Sequence, residues 1–315
     1  MTARTLRRWC EPEVILIVAN LFDEQALMFH AIRQARKNGA KLLLVHASRP
    51  AAFSFHSGRK LPPASSSPDI QEELDRMARQ LRWEGLSCET FVLTGHPAEE
   101  ISSLVKSRRV DRVLMASRRH KRFERSSTES LIEELLPALD VPLCVIGEKV
   151  PAGSNADRPT GRISLALSLS SENSENCLNF ACRFAQGNHA HLTVLHVFGG
   201  ARKHVLSDER NPLAVAARIP TPALREAGLF CPLEIAAREG NPAKEILKYD
   251  SMIPQDFIIL GAPQNNSGAR RESANVLRNV IAEARCPVLI LRLPTAMTNH
   301  FPLATHDLKA ASYGW

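Results

Sequence analysis

Between Ser117 and Arg125 the chain sets Arg118, Arg119, Lys121, Arg122 and Arg125 against a single acid, Glu124. Such a cluster can bind phosphate or carboxylate, and arginine does so with a two-pronged hydrogen-bonded grip. Three readings follow: an anion site, a docking surface for an acidic protein partner, or a solvated basic loop without a ligand. Ser126, Ser127, Thr128 and Ser130 come next. They could accept phosphate, but a hydroxyl-rich stretch at this place reads first as the capped start of a helix.

Other reactive side chains are scattered. His46 and His196 stand at matching places and could be ligands or bases, yet no carboxylate or second histidine accompanies them, so they read as packing residues. Seven cysteines (Cys10, Cys88, Cys144, Cys177, Cys182, Cys231, Cys286) lie in apolar stretches without a C-x-x-C pair or a histidine cluster. That pattern argues against zinc and for reduced, buried thiols. Cys177 and Cys182 are five residues apart, which does not align them on one helical face. No Gly-x-Ser-x-Gly elbow, phosphate-binding Gly-Lys-Ser/Thr loop or His-Glu-x-x-His motif occurs, and no nucleophile–base pair can be named. The chain is expected not to be an enzyme.

The net charge of +7 and pI near 9.2 give some affinity for anions, but over 315 residues the excess is mild and argues against nucleic acid as partner. A hydrophobic fraction of 44% with only 5% aromatics predicts globular domains with aliphatic cores. Arg4, Arg7 and Arg8 are followed by no signal-peptide run, and the longest apolar stretch, Val14 to Ala19, is too short to cross a bilayer. A cytoplasmic protein without membrane contact is the expectation.

The elements that would position these residues occur twice. Gly95-His96-Pro97-Ala98 returns as Gly240-Asn241-Pro242-Ala243, Asp111-Arg112-Val113-Leu114 as Asp256-Phe257-Ile258-Ile259, and Val141-Pro142-Leu143 as Cys286-Pro287-Val288, each 145 positions later. Three motifs in register make an internal duplication. Each half reads as strand, helix, strand, irregular stretch, helix, strand, Gly-x-Pro turn, helix, strand, loop, helix and strand. First strands are expected at Val14–Ala19 and Ile163–Leu167, second strands at Lys41–His46 and His191–His196, and third strands at Ser87–Leu93 and Leu233–Ala237. Fourth strands are expected at Arg112–Ala116 and Phe257–Gly261, and fifth strands at Leu143–Ile146 and Val288–Arg292. Helices are expected from Asp23 or Glu24 to Asn38, from Gln71 to Glu84, and after Pro97 and Pro242. The stretches Arg49–Pro68 and Gly199–Pro222 read as loops or lids. The fold class is α/β, two doubly wound five-stranded parallel sheets in tandem. The domains run over 1–147 and 161–293, with a linker at 148–160 and an irregular tail at 294–315. Ligands of such sheets bind beyond the carboxyl ends of the strands.

The order of elements, Val45-His46 and Leu195-His196, the Gly-x-Pro turns, the Asp-opened fourth strands and the Val-Pro and Cys-Pro starts of the fifth together carry a family resemblance. Each half resembles a universal stress protein domain, and the chain resembles a tandem universal stress protein. The resemblance implies a Rossmann-like fold, dimerisation through the last strand and, in many members, ATP binding. The two halves are accordingly expected to form an intramolecular pseudo-dimer, with a homodimer of whole chains and further protein partners also open.

ATP-binding members carry Gly-x2-Gly-x9-Gly-Ser/Thr after strand four. Glycines there let the backbone approach the phosphates, and free amides at a helix start hold them. That spacing falls on Ala116, Arg119, Glu129 and Ser130 in the first half and on Gly261, Gln264, Ala274 and Asn275 in the second. The acidic residue that ends strand one in the family is replaced by Asn20 and Ser168. Both cradles therefore read as degenerate. The leading expectation is a non-catalytic stress-response protein that acts by protein contacts, with the Arg118–Arg125 loop as docking surface. The alternative is a sensor of ATP or another adenine nucleotide that uses the second half, where Gly261 survives. No metal is expected.

Overall fold

The computed structural model describes residues 3–20, 25–48, 67–117, 127–152, 161–167, 174–198, 228, 230–262 and 269–292. In chain order the first half contains α1 (Ala3–Cys10), β1 (Val14–Val18), α2 (Gln25–Asn38), β2 (Lys41–Ser48), α3 (Ser67–Trp83) and β3 (Cys88–Thr94). It continues with α4 (Pro97–Ser107), β4 (Arg112–Ala116), α5 (Ser127–Ala138) and β5 (Leu143–Ile146). The second half contains β6 (Arg162–Ala166), α6 (Ser174–Gly187), β7 (His191–Phe198), β8 (Leu233–Glu239), α7 (Pro242–Met252), β9 (Phe257–Gly261), α8 (Ala269–Glu283) and β10 (Val288–Leu291).

All ten strands join in one sheet of order β3-β2-β1-β4-β5-β10-β9-β6-β7-β8. Every neighbouring pair is parallel except β5 with β10, where the halves meet. Cys144 faces Leu289, Leu143 faces Ile290, and Val145 faces Val288. Because the repeat spacing is 145, Cys144 and Leu289 are equivalent positions, and the other two pairs exchange under the same operation. The register is therefore that of a two-fold, self-complementary contact. Each terminal strand covers the edge that the other would expose.

Alternation with period two divides the core into two layers. Ile15, Ile17, Leu42, Leu44 and Leu114 point to one face, beneath α1, α2, α3 and α6. Leu16, Val18, Leu43, Val45 and Val113 point to the other, beneath α4, α5, α7 and α8. Each layer is continuous across the β5–β10 junction. A fully buried Leu or Ile of this kind contributes about 1.5–3 kcal/mol.

Several boundaries differ from the sequence expectation. Both second strands run two residues past their histidines, and β8 reaches Glu239, because these residues continue the ladder to the third strand, as in Ser48 opposite Thr94 and Phe198 opposite Glu239. The helix expected from Gln71 starts at Ser67, so Ser67 and Pro68 belong to a first turn, where a proline lacks no needed donor. α1 was not expected at all. It lies outside the repeat and packs on α6 of the other half, with Trp9 and Cys10 buried and the Cys10 thiol 3.7 Å from the Phe180 carbonyl. The core is also not wholly aliphatic: Phe184 stacks on Phe180 and meets Phe257 edge-on, with ring centres 5.6 and 5.1 Å away.

The largest departure is Arg112. It opens β4 with 1% of its surface exposed. One guanidinium nitrogen donates to Gln34 Oε1 at 2.7 Å, another to the Trp9 carbonyl, and the group lies 5.2 Å from the centre of the Phe184 ring. Burial holds its pKa below the usual arginine value. The equivalent residue of the second half is Phe257, which touches the same Phe184 ring.

Candidate functional site

The candidate site is the rim at the carboxyl ends of β1, β2, β3 and β4, with its counterpart in the second half. Each rim is stitched by the same bonds. The Ala19 amide donates to the Val45 carbonyl at 2.8 Å, and Leu167 does the same to Leu195 at 3.0 Å. His46 Nδ1 lies 2.9 Å from the Ala19 carbonyl, and His196 Nδ1 lies 2.9 Å from that of Leu167. A carbonyl only accepts, so each Nδ1 carries the proton. The histidines thus tie the second strand to the end of the first, in agreement with their reading as packing residues.

The Gly-x-Pro turns follow. Gly95 (φ 157°) and Gly240 (φ 145°) take backbone angles that side chains rarely adopt. Each lies under a glutamate of the following helix. A Cβ placed on Gly95 would come 2.7 Å from Glu100 Oε1, and one on Gly240 would come 3.2 Å from Glu245 Cγ. Pro97 and Pro242 occupy the first helical turn, and Asn241 Oδ1 accepts from the Lys244 amide at 3.1 Å, the cap expected from the sequence. His96, at the same place in the first half, makes no such cap. Its Nε2 lies 3.6 Å from Glu134 Oε2 on α5.

The candidate residues fall around this frame. Asn20 follows β1 half-buried, and Ala116, buried, ends the adjacent β4. Gly261 ends β9 exposed, and a Cβ there would meet Cys177 Sγ at 3.4 Å. Ser130 is exposed near the start of α5 and donates to Glu134 Oε1 at 3.1 Å. Glu134 is therefore shared by Ser130 and His96, which links α5 to the Gly-x-Pro turn. Sequence reasoning passed over Glu134, although its position four residues after Ser130 is the spacing of facing neighbours on a helix. Ala274 and Asn275 are the sixth and seventh residues of α8, so their amides belong to the intrahelical ladder. Arg118, Arg119, Lys121, Arg122, Arg125, Ser168 and Gln264 lie outside the described residues.

Two further features bear on chemistry. Among the described residues no group of three His, Cys, Asp or Glu could hold a metal ion. A cavity of about 270 Å³ opens at the opposite ends of the strands, lined by Arg8, Trp9, Arg109, Asp111 and Asp140 among others, and contains none of the candidate residues. There Asp111 Oδ2 accepts the Glu13 and Val14 amides, each at 3.0 Å, and its Oδ1 lies 2.9 Å from Arg8 Nε. Burial pushes this carboxyl up, against the pull of the Val14 amide and Arg8. Asp256, its counterpart, accepts the Gly161 amide at 2.9 Å. These aspartates anchor the first strand of each half, which gives the Asp-opened fourth strand a structural role.

The comparisons with known proteins agree with this architecture. A family profile described as the universal stress protein family matches residues 13–147 and again 160–292. A universal stress protein from Archaeoglobus fulgidus DSM 4304 superposes with a TM-score of 0.68 at 16% identity, over 91% of this chain and 98% of that one. A functionally unknown protein from Pseudomonas aeruginosa PAO1 gives a TM-score of 0.59 at 15% identity, over 91% and 95% of the two chains. The cytoplasmic domain of a prokaryotic cation chloride cotransporter gives 0.51 at 12% identity, over 88% and 94%. At these identities the likeness is one of fold. No curated protein matches the sequence. No helix among the described residues is long and apolar enough to cross a membrane.

Proposed function

The chain belongs to the universal stress protein family as a tandem of two domains, and from that premise we propose that it is a non-catalytic stress-response protein with degenerate nucleotide sites, acting through protein contacts. The observation that carries the reading is the Ser130–Glu134–His96 arrangement. Ser130 stands where ATP-binding relatives place the hydroxyl that meets phosphate, yet its proton goes to a carboxylate. A triphosphate there would meet the charge of Glu134, and like charges at such separations repel. In the second half the corresponding Ala274 and Asn275 lie inside α8, where amides are not free to hold an anion. The residues present thus fit ATP poorly in both halves. The Arg118–Arg125 loop is assigned to an acidic protein partner.

Titration calorimetry of the purified protein with ATP, ADP, AMP and cyclic nucleotides tests the reading. Binding weaker than about 10 μM, equivalent to about −7 kcal/mol, is expected. Tighter binding would establish instead the sensor reading, which Gly261 favours by leaving the end of β9 without a side chain. Replacing Arg118, Arg119, Lys121 and Arg122 by Ala is expected to abolish capture of an acidic partner, and unchanged capture would remove the loop from the mechanism.

A further inference from the structure

Six of the seven cysteines are buried, and the seventh, Cys231, is half-buried just before β8. Its place is fixed from two sides. The neighbouring Phe230 amide donates to Gln186 Oε1 on α6 at 3.1 Å, and the Pro232 carbonyl accepts from the Leu192 amide of β7 at 2.8 Å. Gln186 lies one helical turn beyond Cys182, so the pinned segment sets Cys231 against Cys182. Cys231 packs against the buried cluster that contains Cys182, and the two thiols are close enough to interact directly. Phe230 is 69% exposed, so small solutes reach the segment from solvent. The pair has no counterpart in the first half, where the equivalent positions hold Ile32 and Leu86.

We propose that Cys182 and Cys231 are an oxidisable dithiol that closes to an intramolecular disulfide when the protein meets a peroxide. Cys231 is the half-buried member of the pair and Cys182 the buried one, so a peroxide meets Cys231 first and Cys182 resolves. The Cys231 thiolate attacks one oxygen of hydrogen peroxide. The S–O bond forms, the O–O bond breaks, and hydroxide leaves to become water. Cys182 then attacks the Cys231 sulfenic acid: the S–S bond forms, the S–O bond breaks, and the departing hydroxide takes the Cys182 proton as a second water. Two thiols lose two electrons in all and the peroxide gains them. The other buried thiols are held inert, since burial raises Cys10 and Cys177 to about 12 and Cys144 to about 11. The product ties α6 to the start of β8, an edge strand of the sheet.

The test is treatment of the full chain with equimolar hydrogen peroxide, followed by thiol counting after denaturation and peptide mapping by mass spectrometry. Loss of two of the seven thiols, a Cys182–Cys231 cross-link, and their return with dithiothreitol are expected. Cys231→Ser should keep every remaining thiol reduced, whereas Cys177→Ser should still lose two. The mapping uses the unmodified protein, so it stands whether or not the variants fold. No cross-link, a link between other cysteines, or Cys231 oxidised to sulfinic acid with Cys182 free would each overturn the proposal. None of these outcomes depends on whether a nucleotide binds.

Discussion

Glu133 and Arg278 hold the same position in the two repeats, 145 residues apart, and form an ion pair across the junction between the halves. In an assembly of two identical domains, a position facing the dyad meets its own copy. Glutamate there would face glutamate, and arginine would face arginine. Duplication within one chain lifts that restriction, because the two copies can change separately. Here one copy is acidic and the other basic, so the halves suit each other better than either suits itself.

Reversing one charge should expose this preference. Glu133→Arg is expected to cost up to about 1 kcal/mol, since both side chains are about half-exposed and such pairs are weak. Glu133→Arg with Arg278→Glu should recover most of the loss. Chemical denaturation at low and high salt provides the measurement, and equal penalties for the single and double variants would show that the pair contributes nothing.

A sharper effect is expected beneath β4. Gln34→Leu would leave the fully buried Arg112 guanidinium without its side-chain acceptor, at about 3 kcal/mol. Adding Arg112→Met removes the stranded charge, so the double variant should be more stable than Gln34→Leu alone. Urea unfolding curves decide, and a double variant less stable than the single would contradict this account of the site.

His30 sets a pH dependence. It is buried on α2, and burial, followed by the nearby Arg33, lowers its pKa from 6.5 to about 4. The unfolded chain therefore binds the proton first. Stability from this residue is complete above pH 6.5 and is lost as pH falls towards 4, by at most about 3 kcal/mol. His30→Leu should flatten that part of the stability profile. A profile identical to wild type between these limits would rule the residue out.

The two Gly-x-Pro helices should respond unequally to loss of the residue before proline. Asn241→Ala removes a bonded cap and is expected to cost about 1 kcal/mol. His96→Ala removes no cap bond, only a part-exposed contact with Glu134, and should cost less than half as much. Thermal midpoints of the two variants give the comparison.

Much of this architecture is legible in the residues. Arg112–Ala116, Phe257–Gly261 and Leu143–Ile146 are strands at the bounds that the repeat assigns them, because buried parallel strands leave unbroken apolar runs between turn residues. Asn241 announces its cap by type and place. What stays hidden depends on distant partners. α1 carries three basic residues and stands outside the repeat, so nothing local marks Trp9 and Cys10 as buried. Arg112 looks like the polar start of a strand, and only Gln34 and the Trp9 carbonyl explain its burial. The spacing laid over the second cradle lands on Ala274 and Asn275, but where α8 begins is set by tertiary packing.

The antiparallel seam of Val288 with Val145 also decides how the molecule answers to dilution. Two separate domains joined along that line would part as their abundance fell, with an equilibrium that shifts at every change of expression. Held by a short tether, each half sees its mate at a fixed and high local level, whatever the amount of protein in the cell. The union is then as dependable in a scarce protein as in an abundant one, and either half is free to drift in sequence without losing its neighbour.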